Sequence, residues 1–99
     1  MEIIVQFVKM PSSESMEAFV TKRLKKLVNK YDWIISASVF YKLENDPTGK
    51  GKICEIKLSL PGPIIFAGSN ETSYEAATDE TIKDLEKQLK KRKAIMKTH

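Results

Sequence analysis

Apolar and polar positions alternate from Ile3 to Val8, with Ile3, Val5 and Phe7 on one side, and a period of two predicts a strand. Met10-Pro11-Ser12-Ser13 ends it, and Ser13 (or Ser12) is placed to cap a helix whose positive end lies beside Glu14 and Glu17. From Met16 the spacing changes. Met16, Val20, Leu24, Leu27 and Tyr31 make one stripe on a helix of about 3.6 residues per turn, with Phe19 and Val28 at its margins. Asp32-Trp33 closes that helix. Ala37, Val39 and Tyr41 then alternate with Ser36, Ser38, Phe40 and Lys42, which predicts a second strand with one apolar face. Asn45 to Gly51 is a loop by composition. Cys54, Ile56, Leu58 and Leu60 alternate with Glu55, Lys57 and Ser59 as a third strand. Pro61-Gly62-Pro63 forces a turn, and Ile64-Ile65-Phe66-Ala67 reads as a fourth strand, antiparallel to the third. Thr72-Ser73-Tyr74-Glu75 matches a capping box. The long helix after it carries the stripe Tyr74, Ala77, Thr78, Ile82, Leu85, Leu89 and Met96, uninterrupted by Gly or Pro.

The predicted order is β-α-β-β-β-α. A sheet with one apolar face and two amphipathic helices bury each other most simply as two layers. The expected fold class is therefore α+β, a four-stranded sheet with both helices packed on one face. Glu55, Lys57, Ser36 and Ser38 should lie on the other face, toward water.

The chain has 99 residues, 41% hydrophobic and 30% charged, enough for one core without staples. With one cysteine, Cys54, and one histidine, His99, it offers neither an internal disulfide nor a Cys/His zinc set. No basic leader and no long apolar stretch follows Met1, so no signal or membrane span is expected and the setting is read as cytoplasmic. The net charge is +4, and its distribution says more than its total. Residues 1–21 carry −2, residues 22–30 carry +5 with no acid, residues 31–82 carry −4, and residues 83–99 carry +5. Two short basic blocks flank an acidic middle, the pattern of a directed surface for a polyanion.

Catalytic chemistry finds little footing. The only histidine is the last residue, so there is no Ser-His-Asp or Cys-His set. Gly49-Lys50-Gly51 lacks the spacing of a phosphate loop and precedes a strand. Asp79 and Glu80 are adjacent on a helix and point apart. No enzyme, no cofactor and no small-molecule substrate is expected.

The basic blocks carry more. On the second helix Lys83, Lys87, Lys90, Lys91 and Lys97 share roughly 120° of arc, opposite Leu85, Leu89 and Met96. On the first helix Lys22, Arg23, Lys26 and Lys30 share a side. If both helices cover one sheet face, these bases look outward together and the valley between them should be a positive groove for phosphates. A core-facing helix also needs a polar outer face, and lysine is a good helix former. The scarcity of acids within the two blocks favours binding, because a merely solvated face mixes both signs.

Other conspicuous side chains read as structural. Cys54 lies on the apolar strand face as a packed thiol, and Trp33 follows a helix end as core or rim. Phe40 projects from the opposite strand face, the position of base-stacking sheet aromatics, but no second aromatic has matching spacing. Arg92 falls on the apolar side of the last helix, with its stem packed and its head expected to reach water.

Phe19-Val20-Thr21-Lys22-Arg23-Leu24-Lys25-Lys26-Leu27, Tyr31-Asp32 leading to Ile34, Ala77-Thr78-Asp79, and above all Asp84-Leu85-Glu86-Lys87-Gln88-Leu89-Lys90-Lys91-Arg92-Lys93 resemble the short ribosome hibernation-promoting factors. That family is also called ribosome-associated inhibitors or sigma-54 modulation proteins. The resemblance covers essentially the whole chain, and its fold, a four-stranded sheet with two helices on one face, matches the predicted order.

The resemblance implies one ribosome-binding domain over residues 1–99. It would bind the rRNA of the small ribosomal subunit in the decoding region, block mRNA and tRNA, and inhibit translation during stress. Idle ribosomes would be stored, in many cases as dimers. Arg23, Lys26, Lys87, Lys91 and Lys93 stand where the family has rRNA-facing bases. Thr78 replaces the usual isoleucine and is expected to soften the core, and Lys87 replaces a common arginine, exchanging a fork for a point charge. Phe7-Val8-Lys9-Met10-Pro11 replaces a more polar loop and receives no site. The ending at His99 is expected to place the chain with the short type, so that dimerising ribosomes would involve a partner factor. Two other classes compete: a generic double-stranded-RNA-binding module, weakened because Asn45–Gly51 has only Lys50 as a base, and a protein-interaction module using a sheet edge.

Overall fold

The computed structural model describes residues 1–97, with side chains through Met96. Its elements are β1 (Glu2–Phe7), α1 (Glu14–Lys30), β2 (Ser36–Leu43), β3 (Lys52–Ser59), β4 (Ile65–Glu71) and α2 (Tyr74–Lys97). The sheet order is β1-β2-β3-β4. β1 runs parallel to β2, reached through the α1 crossover, while β2–β3 and β3–β4 are antiparallel. The expected α+β class and two-layer arrangement are what the structure has.

Local chemistry explains the element ends. Ser13 caps α1, its hydroxyl accepting from Met16 N at 3.2 Å, as the sequence predicts. The cap of α2 is one residue later than predicted: Ser73 Oγ accepts from Ala76 N at 3.1 Å. With Ser73 at the cap the third helical residue is alanine, so the reciprocal Thr72–Glu75 box does not form. β4 is longer than its apolar run. Gly68, Ser69, Asn70 and Glu71, beyond the predicted strand, continue the ladder opposite Glu55, Cys54, Ile53 and Lys52, because an available neighbouring strand outweighs weak intrinsic preference.

The core lies between the sheet and the helices. Val20, Leu24 and Leu27 of α1, Tyr31 at its C-cap, and Ala77, Leu85 and Leu89 of α2 pack on Ala37, Val39, Tyr41, Cys54, Ile56, Leu58, Ile65 and Ala67. Within it sits a cluster of polar side chains. Tyr41 Oη is 2.7 Å from Thr78 Oγ1, which donates to the Tyr74 carbonyl at 2.7 Å. Thr81, absent from the predicted stripe, is fully buried and donates to the Ala77 carbonyl at 2.7 Å. Cys54 is buried beside them, and burial pushes its thiol pKa up, consistent with a packed and unreactive group.

Arg92 corrects an expectation. Its head does not simply reach water: Nη1 donates to the Pro61 carbonyl at 3.0 Å and Nη2 to the Pro63 carbonyl at 2.9 Å. The guanidinium ties the end of α2 to the β3–β4 turn. Gly62 lies under it at φ +92°, a conformation that calls for glycine, and a Cβ there would crowd Nη1 at 3.1 Å. Met96 is also less covered than its stripe suggests, 42% exposed, because it lies in the last turn of the helix, beyond Leu89, the last fully buried residue on its stripe.

Candidate nucleic-acid interface

The two helices run in the same direction. Arg23 Nε meets Asp79 Oδ1 at 2.5 Å, and Lys30 Nζ meets Glu86 Oε2 at 2.5 Å. Both pairs join residues 56 apart in sequence, which requires parallel helices in register. The pairs are seven residues, or about 10.5 Å, apart along each helix. One further heptad on, Lys93 Nζ lies 5.8 Å from the centroid of the Tyr31 ring, within cation–π range.

This seam changes the expected groove. Two of the predicted RNA-facing bases, Arg23 and Lys30, are matched in the valley by acids. The Lys30 hydrogen bond holds the Glu86 carboxyl below its usual range, and Glu86 in turn raises the Lys30 ammonium. Uncompensated positive charge sits instead on the two rims. Lys22 and Lys26 are exposed on α1, and Lys87, Lys90 and Lys91 are exposed on α2, with no ion pair among the described residues. Lys83 is exposed and 3.7 Å from Glu80 on its own helix. Lys97 closes α2, but its side chain lies outside the described residues, as does His99. The predicted bases are therefore brought to one side of the molecule, in two rows separated by a largely neutralised seam.

Periodicity along the chain does not identify the acids of the seam as partners. Their signal was the pattern Arg23/Lys30 and Asp79/Glu86, each pair one heptad apart, readable only once the helix register is known. Phe19 stands at the margin of the predicted core stripe. Its ring lies 3.7 Å beneath the Arg23 guanidinium carbon.

The opposite sheet face is different in kind. Ser36, Ser38, Glu55 and Lys57 lie on it as predicted, with Lys42 paired to Glu55 at 2.7 Å. Phe40 shares this face with Phe66, which register places beside Lys57 and leaves 51% exposed. The second aromatic, not found by spacing along the chain, comes from another strand. At the β4 edge, Gln88 Nε2 donates to the Phe66 carbonyl at 2.9 Å, occupying an acceptor that an added strand would need. Among the described residues no group of three or more His, Cys, Asp or Glu side chains is placed to hold a metal ion, and no helix is long and apolar enough to cross a membrane.

This fold recurs in known proteins. A ribosomal subunit interface protein from Coxiella burnetii superposes with a TM-score of 0.84 over 95% of this chain and 99% of that one, at 24% identity. The N-terminal domain of Thermus thermophilus Protein Y superposes with a TM-score of 0.71 over 91% and 93%, at 26% identity. No curated protein matches the sequence. The family profile described as Sigma 54 modulation protein / S30EA ribosomal protein matches residues 3–97, and the chain belongs to that family.

Proposed function

We propose that this protein is a ribosome hibernation factor that binds the rRNA of the small ribosomal subunit in the decoding region, blocks mRNA and tRNA binding, and so inhibits translation. The observation that carries this reading is the pair of cationic rows on two parallel helices, exposed on one side of a fold whose family is ribosome-associated. Phosphates attract such a surface through charge and counterion release, with no need of sequence readout. Storage of the inactive ribosomes as dimers, with a partner factor, belongs to the same reading. Occlusion requires no chemistry, in keeping with a chain that offers no nucleophile–base set. The covered Phe66 carbonyl counts against strand addition at the β4 edge.

The test is a purified translation system in which protein is titrated against ribosomes, followed by a salt wash and a second round. An occluding ligand acts by mass action. Inhibition should follow the ratio of protein to ribosomes, be relieved by excess initiator tRNA, and disappear after the wash. Substoichiometric inhibition, or inhibition that outlasts removal of the protein, would mean chemical alteration of the ribosome. Tight binding to isolated duplex RNA with none to small subunits would instead favour a generic duplex-RNA module.

A further inference from the structure

The Arg23 guanidinium is held on two sides. Its Nε donates to Asp79 Oδ1 across the seam at 2.5 Å, and its central carbon lies 3.7 Å over the Phe19 ring, one turn back on α1. Among the described residues neither terminal nitrogen has a hydrogen-bond partner, and the side chain is 36% exposed. A guanidinium gripped by Nε and by one face leaves its two Nη groups as an open pair of donors, the shape that meets two phosphate oxygens. Lys30 is held otherwise. Its pair with Glu86 engages the single ammonium that a phosphate would need. Two ion pairs of similar length thus leave their cations in different states: one neutralised at its only head, the other anchored with its fork free.

We propose that Phe19 and Asp79 are positioning residues that hold Arg23 as a preformed phosphate fork in the seam between the two cationic rows, for an RNA backbone. This rests on the reading that the helix side binds rRNA. Neither residue need touch RNA. Their contribution is to immobilise a long side chain before binding, so that this ordering is not charged against association. Phe19 is the more informative of the two, because it carries no charge and a purely electrostatic surface would be indifferent to it.

The experiment measures Kd for small ribosomal subunits across a salt series, using the full chain and four variants, with thermal unfolding recorded for each. Phe19→Leu should weaken binding about two- to tenfold, the range expected for freeing one rotamer-rich side chain. The slope of log Kd against log salt should not change, since no charge has moved. Phe19→Tyr, which keeps the ring, should bind as the parent does. Arg23→Lys should weaken binding in the same direction with the same slope. The fourth variant, Lys26→Glu with Lys87→Glu and Lys91→Glu, tests the surface itself. Parent-like Kd for Phe19→Leu overturns the positioning role, as does a loss that Phe19→Tyr does not restore. If Phe19→Leu is too unstable to compare, parent-like binding by Arg23→Lys overturns it instead. Loss of binding in the triple variant beside parent-like Phe19→Leu and Arg23→Lys removes the positioning role alone. Retained binding in the triple variant removes the RNA-binding reading and this proposal with it.

Discussion

Tyr41 Oη stands 2.7 Å from Thr78 Oγ1, with both side chains fully buried. Thr78 gives its own proton to the Tyr74 carbonyl, so the phenol is the donor in this contact. The threonine, expected from the family resemblance to soften the core, is what satisfies the tyrosine. Thr78→Val removes that acceptor while keeping the volume. It should destabilise the protein by about 1–3 kcal/mol, the cost of a buried group left without its partner. Tyr41→Phe in the same background should recover part of the loss. Denaturant unfolding of the two single variants and the double variant gives the coupling, and strictly additive values would show that the contact contributes nothing specific.

Leu85 is fully buried between α2 and the sheet. Leu85→Ala should cost about 2–5 kcal/mol through lost contacts and the cavity left behind. Because Leu85 faces away from both cationic rows, binding measured well below the melting temperature should be little changed. A folded Leu85→Ala variant with its ribosome affinity abolished would place Leu85 in the interface.

Lys26, Lys87 and Lys91 are exposed, so reversing them to Glu should alter stability by no more than about 0.5 kcal/mol each. Co-sedimentation with small subunits should be lost all the same. Arg23 is left out of this set because a glutamate there would face the Asp79 carboxylate with which Arg23 pairs. The parent protein should lose affinity steeply with salt, each neutralised phosphate releasing counterions. A flat response to salt would exclude a phosphate-tracking surface.

The Lys30–Glu86 pair sets a pH window. Its hydrogen bond lowers the Glu86 carboxyl from 4.5 and raises the Lys30 ammonium from 10.5. A depressed carboxyl contributes stability above its unfolded pKa and loses it as pH falls through the folded value. A raised ammonium contributes below its unfolded pKa and loses it as pH rises through the folded value. The melting temperature of the parent should therefore exceed that of Glu86→Gln by a constant margin between about pH 5.5 and 9.5. The margin should close on the acid side once Glu86 is protonated. A margin that persists at pH 2 would mean that Glu86 acts through something other than its charge. The effect is small, since the Lys30 ammonium is exposed and solvent screens the pair.

Much of this protein is determined locally and so is legible in the chain. Alternation at Ile3–Phe7, Ala37–Tyr41 and Cys54–Leu60 identifies strands and their buried faces, because a side chain on a strand has only two directions to point. The 3.6-residue period of Val20, Leu24, Leu27 and of Leu85, Leu89 identifies helices, and Ser13 marks where one begins. The concentration of bases in 22–30, with no acid, and in 83–97, with only Asp84 and Glu86, is likewise a property of composition, and the predicted bases come to one side because each helix must turn its apolar stripe inward. What the chain alone does not decide is every relation between distant elements. Gly68–Glu71 becomes strand because Lys52–Glu55 lies beside it. Phe66 joins Phe40 on one face by register, not by spacing. Arg92 finds the carbonyls of Pro61 and Pro63 because α2 ends over that turn. Arg23 meets Asp79, and Lys30 meets Glu86, only when two helices lie parallel with an offset of 56 residues. Periodicity fixes how a helix rotates about its own axis, but not how far it slides along its neighbour. That last coordinate is set by packing of the whole core, and here it turns a uniformly positive valley into two cationic rows with a paired seam between them.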